Sequence, residues 1–142
     1  MNNTLYIGFK GKNNSSEILV NSLPGQHFFL TNSYAGLIRD IDKLSTDYDE
    51  VYLFGADKNL SDSFRIEQYA EKDDTKVATI LDLYAIIERI SASGIKSSIS
   101  QTATHYLCNE AYWHLLEKYR RRAVLIHIPT IKHFYKMAPL VF

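Results

Sequence analysis

The chain has a single cysteine, Cys108, in the run Thr104-His105-Tyr106-Leu107-Cys108-Asn109, and His127 follows nineteen residues later within an apolar run. A thiol acts as a nucleophile in its thiolate form, which a nearby base can generate and the positive end of a helix dipole can favour. Hydrophobic spacing predicts a helix from Thr104 to Tyr119, so Cys108 stands near its amino-terminus. The pair points to covalent acyl chemistry, for which a markedly lowered thiol pKa marks a poised nucleophile and an ordinary one inert packing or binding. His105, one turn before Cys108 on the same helix face, is a competing base. Taken alone, each residue has a plainer reading: a buried small hydrophobe for the cysteine, a satisfied core side chain for the histidine.

These residues need a scaffold to meet. Leu5-Tyr6-Ile7-Gly8-Phe9 reads as a buried strand, followed by a loop over Gly11-Lys12-Asn13-Asn14 and a helix from Ser15 to Ser22. His27 to Leu30 is a second strand, and Ser33 can cap a helix carrying Leu37, Ile38, Ile41 and Leu44. Val51 to Phe54 is a third strand, ending at Gly55 before a polar loop over Asp57 to Ser63. Phe64 to Ala70 alternates as a fourth strand, Val77 to Ile90 has helical spacing closed by Ser93-Gly94, Ile95 to Ala103 is a strand, and Ala123 to Ile128 is a buried strand before Pro129. Strands alternating with helices imply an α/β fold, a three-layer α/β/α sandwich with a mostly parallel central sheet. In such sheets functional groups gather beyond the carboxyl ends of strands, where Cys108 and the loop after Phe54 both fall.

Length and composition narrow the class. At 142 residues, 46% apolar and 23% charged, the chain is expected to form one domain over residues 1–142 with a core of its own. Sixteen basic and sixteen acidic side chains cancel, so no nucleic acid or membrane partner is expected. The basic cluster from Lys118 to Arg122 reads as a solvated helix end. A lone cysteine and an amino-terminus without a basic start or long apolar run make cytoplasm the expected location. The five histidines and the acidic residues show no HExxH or other zinc spacing, and the Gly8 to Lys12 loop lacks both GxGxxG and a GK[ST] pattern, so neither metal nor cofactor is expected. The apolar tail from Met137 to Phe142 can dock on the core or on another subunit in a homo-oligomer.

Three segments together resemble the pyroglutamyl peptidase family, also called pyrrolidone carboxyl peptidases. Gly94-Ile95-Lys96 through Ser100-Gln101-Thr102-Ala103-Thr104-His105-Tyr106-Leu107-Cys108-Asn109 is similar to the family's nucleophile segment. Ala123-Val124-Leu125-Ile126-His127-Ile128-Pro129 is similar to its Phe-Ile-His-Val-Pro segment, and Phe64-Arg65-Ile66-Glu67-Gln68-Tyr69-Ala70 resembles its Val-Glu-Arg-x-Ala-x-Asn strand. The resemblance implies a phosphorylase/hydrolase-like fold and a cysteine peptidase acting on a small peptide or amide, with Cys108 as nucleophile, His127 as base and Glu67 as the acid orienting it. It also implies a substrate-binding ring at Phe9 in the reduced opening loop Gly8-Phe9-Lys10-Gly11. From the residues alone, Glu67 can instead pair with Arg65 or Lys72, Glu71 is an alternative acid, and Phe9 can be core.

The chain departs from the family pattern in four places, one of them Ala103-Thr104-His105, where the family has Ala-Gly before its tyrosine. Only Glu71-Lys72-Asp73-Asp74 separates the glutamate strand from the next expected helix, the family's active-site arginine has no evident counterpart, and the second aromatic ring of the opening loop is missing. A binding protein on the same scaffold, or an amidase or transferase with another substrate, are the alternatives these departures leave.

Overall fold

Alternation along the buried strands sorts the side chains into two apolar layers. A computed structural model describes residues 3–104 and 106–142. Six strands make the main sheet: β1 (Thr4–Phe9), β2 (Gln26–Leu30), β3 (Glu50–Asp57), β4 (Ser63–Glu67), β7 (Lys96–Ser100) and β8 (Ala123–Pro129), in the spatial order β2-β1-β3-β8-β4-β7. All neighbours are parallel except β4 and β8, which run antiparallel. Leu5, Ile7, Val51, Leu53, Ala123 and Leu125 face one layer, with α2 (Tyr34–Asp42) and α4 (Leu107–Lys118). Tyr6, Tyr52, Phe54, Phe64, Ile66, Val124 and Ile126 face the other, with α1 (Ser15–Ser22) and α3 (Leu83–Ala92). Both faces of the sheet are covered, as parallel strands require, and the expected α/β sandwich is what the chain forms.

Local chemistry sets the helix starts. Asn14 Oδ1 accepts from the Ser16 N–H, Ser33 Oγ from Gly36, and Asp82 Oδ1 from Tyr84 and Ala85, each satisfying orphan donors of a first turn.

The stretch from Phe64 to Ile90 differs from its sequence reading. The strand breaks at Gln68, whose N–H donates to the Ser100 carbonyl, and the chain leaves the main sheet. β5 (Tyr69–Lys72) and β6 (Thr75–Ala78) then form a separate antiparallel hairpin. Its turn is Asp73-Asp74, both with positive φ, the conformation of a tight two-residue hairpin turn and one that aspartate tolerates. Helical structure therefore begins at Leu83 rather than Val77; the apolar residues at Val77 and Ile80 imitate a helical period across a strand and a bend. Strand β7 stops at Ser100 and α4 starts at Leu107, leaving a connection in place of the expected unbroken strand and earlier helix start.

The carboxyl-terminal tail docks on the core. After the short α5 (Ile131–Phe134), Leu140 is buried, the Val141 N–H donates to Ser93 Oγ, and the Phe142 ring lies 5.3 Å from Tyr52 with the Arg89 guanidinium over it at 4.2 Å. Among the described residues no helix is long and apolar enough to cross a membrane.

Candidate active site

The same alternation that builds the core carries a polar strip across three adjacent strands. On β8, His127 follows Ala123 and Leu125 on the α4 side; on β4, Arg65 and Glu67 alternate with Phe64 and Ile66, which face the opposite layer. In register His127 pairs with Gly55 of β3 on one side and with Arg65 of β4 on the other. Asp57 lies two residues beyond Gly55, at the end of β3.

Cys108, the second residue of α4, comes down onto Gly55. A Cβ at position 55 would lie 2.5 Å from Cys108 Sγ and 3.6 Å from His127 Cδ2, so sulfur and imidazole converge on the space that the glycine leaves. Asn109 next to it is buried and holds the hairpin: its Oδ1 accepts from the Glu71 N–H and its Nδ2 donates to the Glu71 carbonyl. The Tyr112 hydroxyl, one turn further, donates to the Glu67 carbonyl at 2.8 Å. Helix α4 thus braces both the nucleophile candidate and the acid strand.

His127 Nδ1 lies 2.8 Å from Glu67 Oε2, with both side chains almost wholly buried. Arg65 Nε donates to that same oxygen at 2.6 Å, and Arg65 Nη2 donates to Asp57 Oδ2 at 2.6 Å. Burial alone would raise the Glu67 carboxyl, but the hydrogen bonds and charges of His127 and Arg65 outweigh it and hold Glu67 below the ordinary carboxylate range. Asp57 is likewise held low against its burial, by the Asn59 N–H and by Arg65. An ionised Glu67 assigns the proton: Nδ1–H donates to the carboxylate, leaving Nε2 free as an acceptor. The 3.2 Å approach of Arg65 Nη2 to Nδ1 is then a contact between two donors.

The thiol is not poised as a thiolate. Burial first, then the Asp57 and Glu67 charges, push Cys108 up to about 12. Near neutral pH the sulfur is protonated, because removal from water and two nearby carboxylates outweigh the helix dipole.

Two cavities meet at Cys108. The larger, about 580 Å³, is polar and bounded by Asp57, Lys58, Arg65, Thr104, Cys108 and His127. The smaller, about 290 Å³, is bounded by Phe9, Asn14, Asn32, Tyr34, Tyr106 and Cys108. Phe9 is thus core and cavity wall at once, only 3% exposed yet bordering this space. A third cavity of about 550 Å³, at the start of α3, has neither thiol nor imidazole in its wall.

The structure therefore bonds His127 to Glu67, seats Cys108 over Gly55 next to His127 on the neighbouring strand, and puts Phe9 in the wall of a cavity that Cys108 also borders. Glu71 stands in the β5–β6 hairpin, and the acid bonded to His127 is Glu67. His105 lies outside the described residues. Sequence reasoning missed Asp57, read as loop, and the role of Arg65, considered only as a partner of Glu67. The i, i+2 spacing of Arg65 and Glu67 on one strand was the signal available; Asp57 had none.

No protein-family model and no curated protein matches the chain. Solved structures do. Pyrrolidone carboxyl peptidase from Thermococcus litoralis superposes with a TM-score of 0.76 at 20% identity, over 91% of this chain and 77% of that one. Pyroglutamyl peptidase I from Bacillus amyloliquefaciens gives 0.74 at 18% identity, over 96% and 92%. The pyrrolidone carboxyl peptidase from Thermus thermophilus gives 0.73 at 18% identity, over 89% and 84%.

The chain has the pyrrolidone carboxyl peptidase fold.

Within this pyrrolidone carboxyl peptidase fold, Asp57, Arg65, Cys108 and His127 border one cavity, and Glu67 lies buried behind it, bonded to His127 Nδ1.

Proposed function

We propose that this chain, acting as one domain, is a thiol hydrolase of pyrrolidone carboxyl peptidase type that cleaves the amide after a small acyl group at the amino end of a peptide. Pyroglutamyl is the acyl group that the names of its structural neighbours suggest. The observation that carries this reading is the 2.8 Å His127–Glu67 bond beside a thiol seated in a cavity over Gly55.

In this reading His127 Nε2 takes the thiol proton as Cys108 Sγ attacks the carbonyl carbon, and the carbonyl electron pair moves onto oxygen. Because the resting thiol is protonated, proton transfer accompanies attack. Tyr106 makes no side-chain cap hydrogen bond at the start of α4, so first-turn N–H groups, that of Cys108 among them, can face the oxyanion. The oxyanion collapses, the C–N bond breaks, and the imidazolium proton goes to the leaving amine. Water, activated by the same imidazole, then hydrolyses the thioester and restores the thiol. Glu67 holds the tautomer throughout. The substrate, one water and these side chains balance the reaction without a cofactor.

The smaller cavity, with Phe9, Tyr34 and Tyr106 in its wall, suits a compact flat acyl group, and the larger polar one suits the departing chain. Release of amine from a pyroglutamyl anilide tests the proposal: turnover by the wild type and none by Cys108→Ala is expected, and equal rates reject the mechanism. The high thiol pKa favours one second reading, a binding protein on this scaffold. That reading expects both proteins to bind a pyroglutamyl amide and neither to turn it over.

A further inference from the structure

Arg65 reaches across the central strand of the site. It stands on β4 opposite His127 of β8, and its guanidinium joins Glu67 of its own strand to Asp57 of β3, on the far side of β8. The Nε–H and an Nη2–H of one planar guanidinium are thus anchored on two different carboxylates, each at 2.6 Å, and the arginine side chain is only 22% exposed. The fork geometry of arginine suits this; a lysine ammonium reaches one carboxylate as a point charge and does not fix its plane. The oxygen that Arg65 Nε engages is Oε2, the one that accepts from His127 Nδ1.

We infer that Arg65, anchored by Asp57, is a positioning residue that holds Glu67 Oε2 under His127 Nδ1 and thereby keeps Nε2 unprotonated toward Cys108. The inference rests on His127 acting as the base of the proposed reaction. Its geometry favours this over an oxyanion role: Arg65 Nη2 stands against His127 Nδ1 at 3.2 Å, whereas Cys108 Sγ and His127 Cδ2 both border the space above Gly55. The charged and titratable groups around this ring and sulfur, among the described residues, are Asp57 and Lys58 from the β3 end, Arg65 and Glu67 from β4, and Tyr34 and Tyr106 from the helix starts.

The test is long-range proton–nitrogen NMR of the imidazoles, with His127 assigned from a His127→Ala spectrum, together with steady-state kinetics. The wild type is expected to show His127 as the Nδ1–H form. In Arg65→Met and in the milder Asp57→Asn, His127 is expected to become a mixture of tautomers, with kcat reduced about tenfold or more and KM within about twofold. Arg65→Lys, which keeps charge but not the fork, is expected to fall between them. An unchanged Nδ1–H signature in folded Arg65→Met and Asp57→Asn overturns the inference; if kcat has nonetheless collapsed, Arg65 acts on substrate directly. The spectroscopic arm reads the inference even when no substrate is hydrolysed, so failure of the proposed peptidase activity is a separate result.

Discussion

Cys108 Sγ occupies the space above Gly55 that a side chain on β3 would otherwise fill, and Gly55 is the in-register neighbour of His127. The glycine serves close approach here: it lets the first turn of α4 settle against the sheet, beside the imidazole on the next strand.

Gly55→Ala is therefore expected to be costly. The new methyl would lie 2.5 Å from the sulfur and must displace it. We expect about 1–3 kcal/mol of lost stability from overpacking and about a hundredfold loss of anilide turnover from the shifted sulfur. Urea unfolding and steady-state kinetics check the two effects, and wild-type values in both would show that the helix start can yield freely.

Glu67 links the site to acid stability. Its folded pKa lies below its unfolded value, so its contribution is present above the unfolded carboxylate range and is lost as pH falls through the folded value. The difference in unfolding free energy between wild type and Glu67→Gln is expected to shrink from about pH 5 downward. A constant difference from neutral to acid pH would mean that this carboxyl is not held ionised.

With one cysteine in the chain, alkylation reports the site directly. A thiol at about 12 is protonated throughout the neutral range. The iodoacetamide rate should climb about tenfold per pH unit between roughly pH 7 and pH 10, because the thiolate is the reactive form. A plateau reached near neutrality would reveal a preformed thiolate–imidazolium pair instead.

Tyr112 supports the acid strand from below. Its fully buried hydroxyl donates to the Glu67 carbonyl, so Tyr112→Phe leaves a buried acceptor without that donor. A loss of about 1–2 kcal/mol is expected in urea unfolding, with turnover reduced far less than in Glu67→Gln. An equal loss of turnover would show that the backbone bond, not the carboxylate, limits the site.

Much of this was legible along the chain. The apolar runs at Leu5 to Phe9, Val51 to Phe54 and Ala123 to Ile128 are β1, β3 and β8, because strands buried on both faces leave a continuous hydrophobic record. Ser33 caps its helix as read. The Val77 to Ile90 region was misread because Val77 and Ile80 fall at a helical spacing, while the backbone pairing of Thr75–Ala78 with Tyr69–Lys72 leaves little trace in residue type. The Asp73-Asp74 turn was the available hint.

Sequence by itself determined the layered α/β scaffold, since burial patterns are properties of residues, while its resemblance to a known family singled out one thiol, one imidazole and one acid as candidates. Tertiary structure alone decided that β4 enters antiparallel beside β8, which puts Arg65 next to His127 and within reach of Asp57. It also decided that the thiol is held protonated, because long-range register and desolvation depend on which strands and charges finally become neighbours.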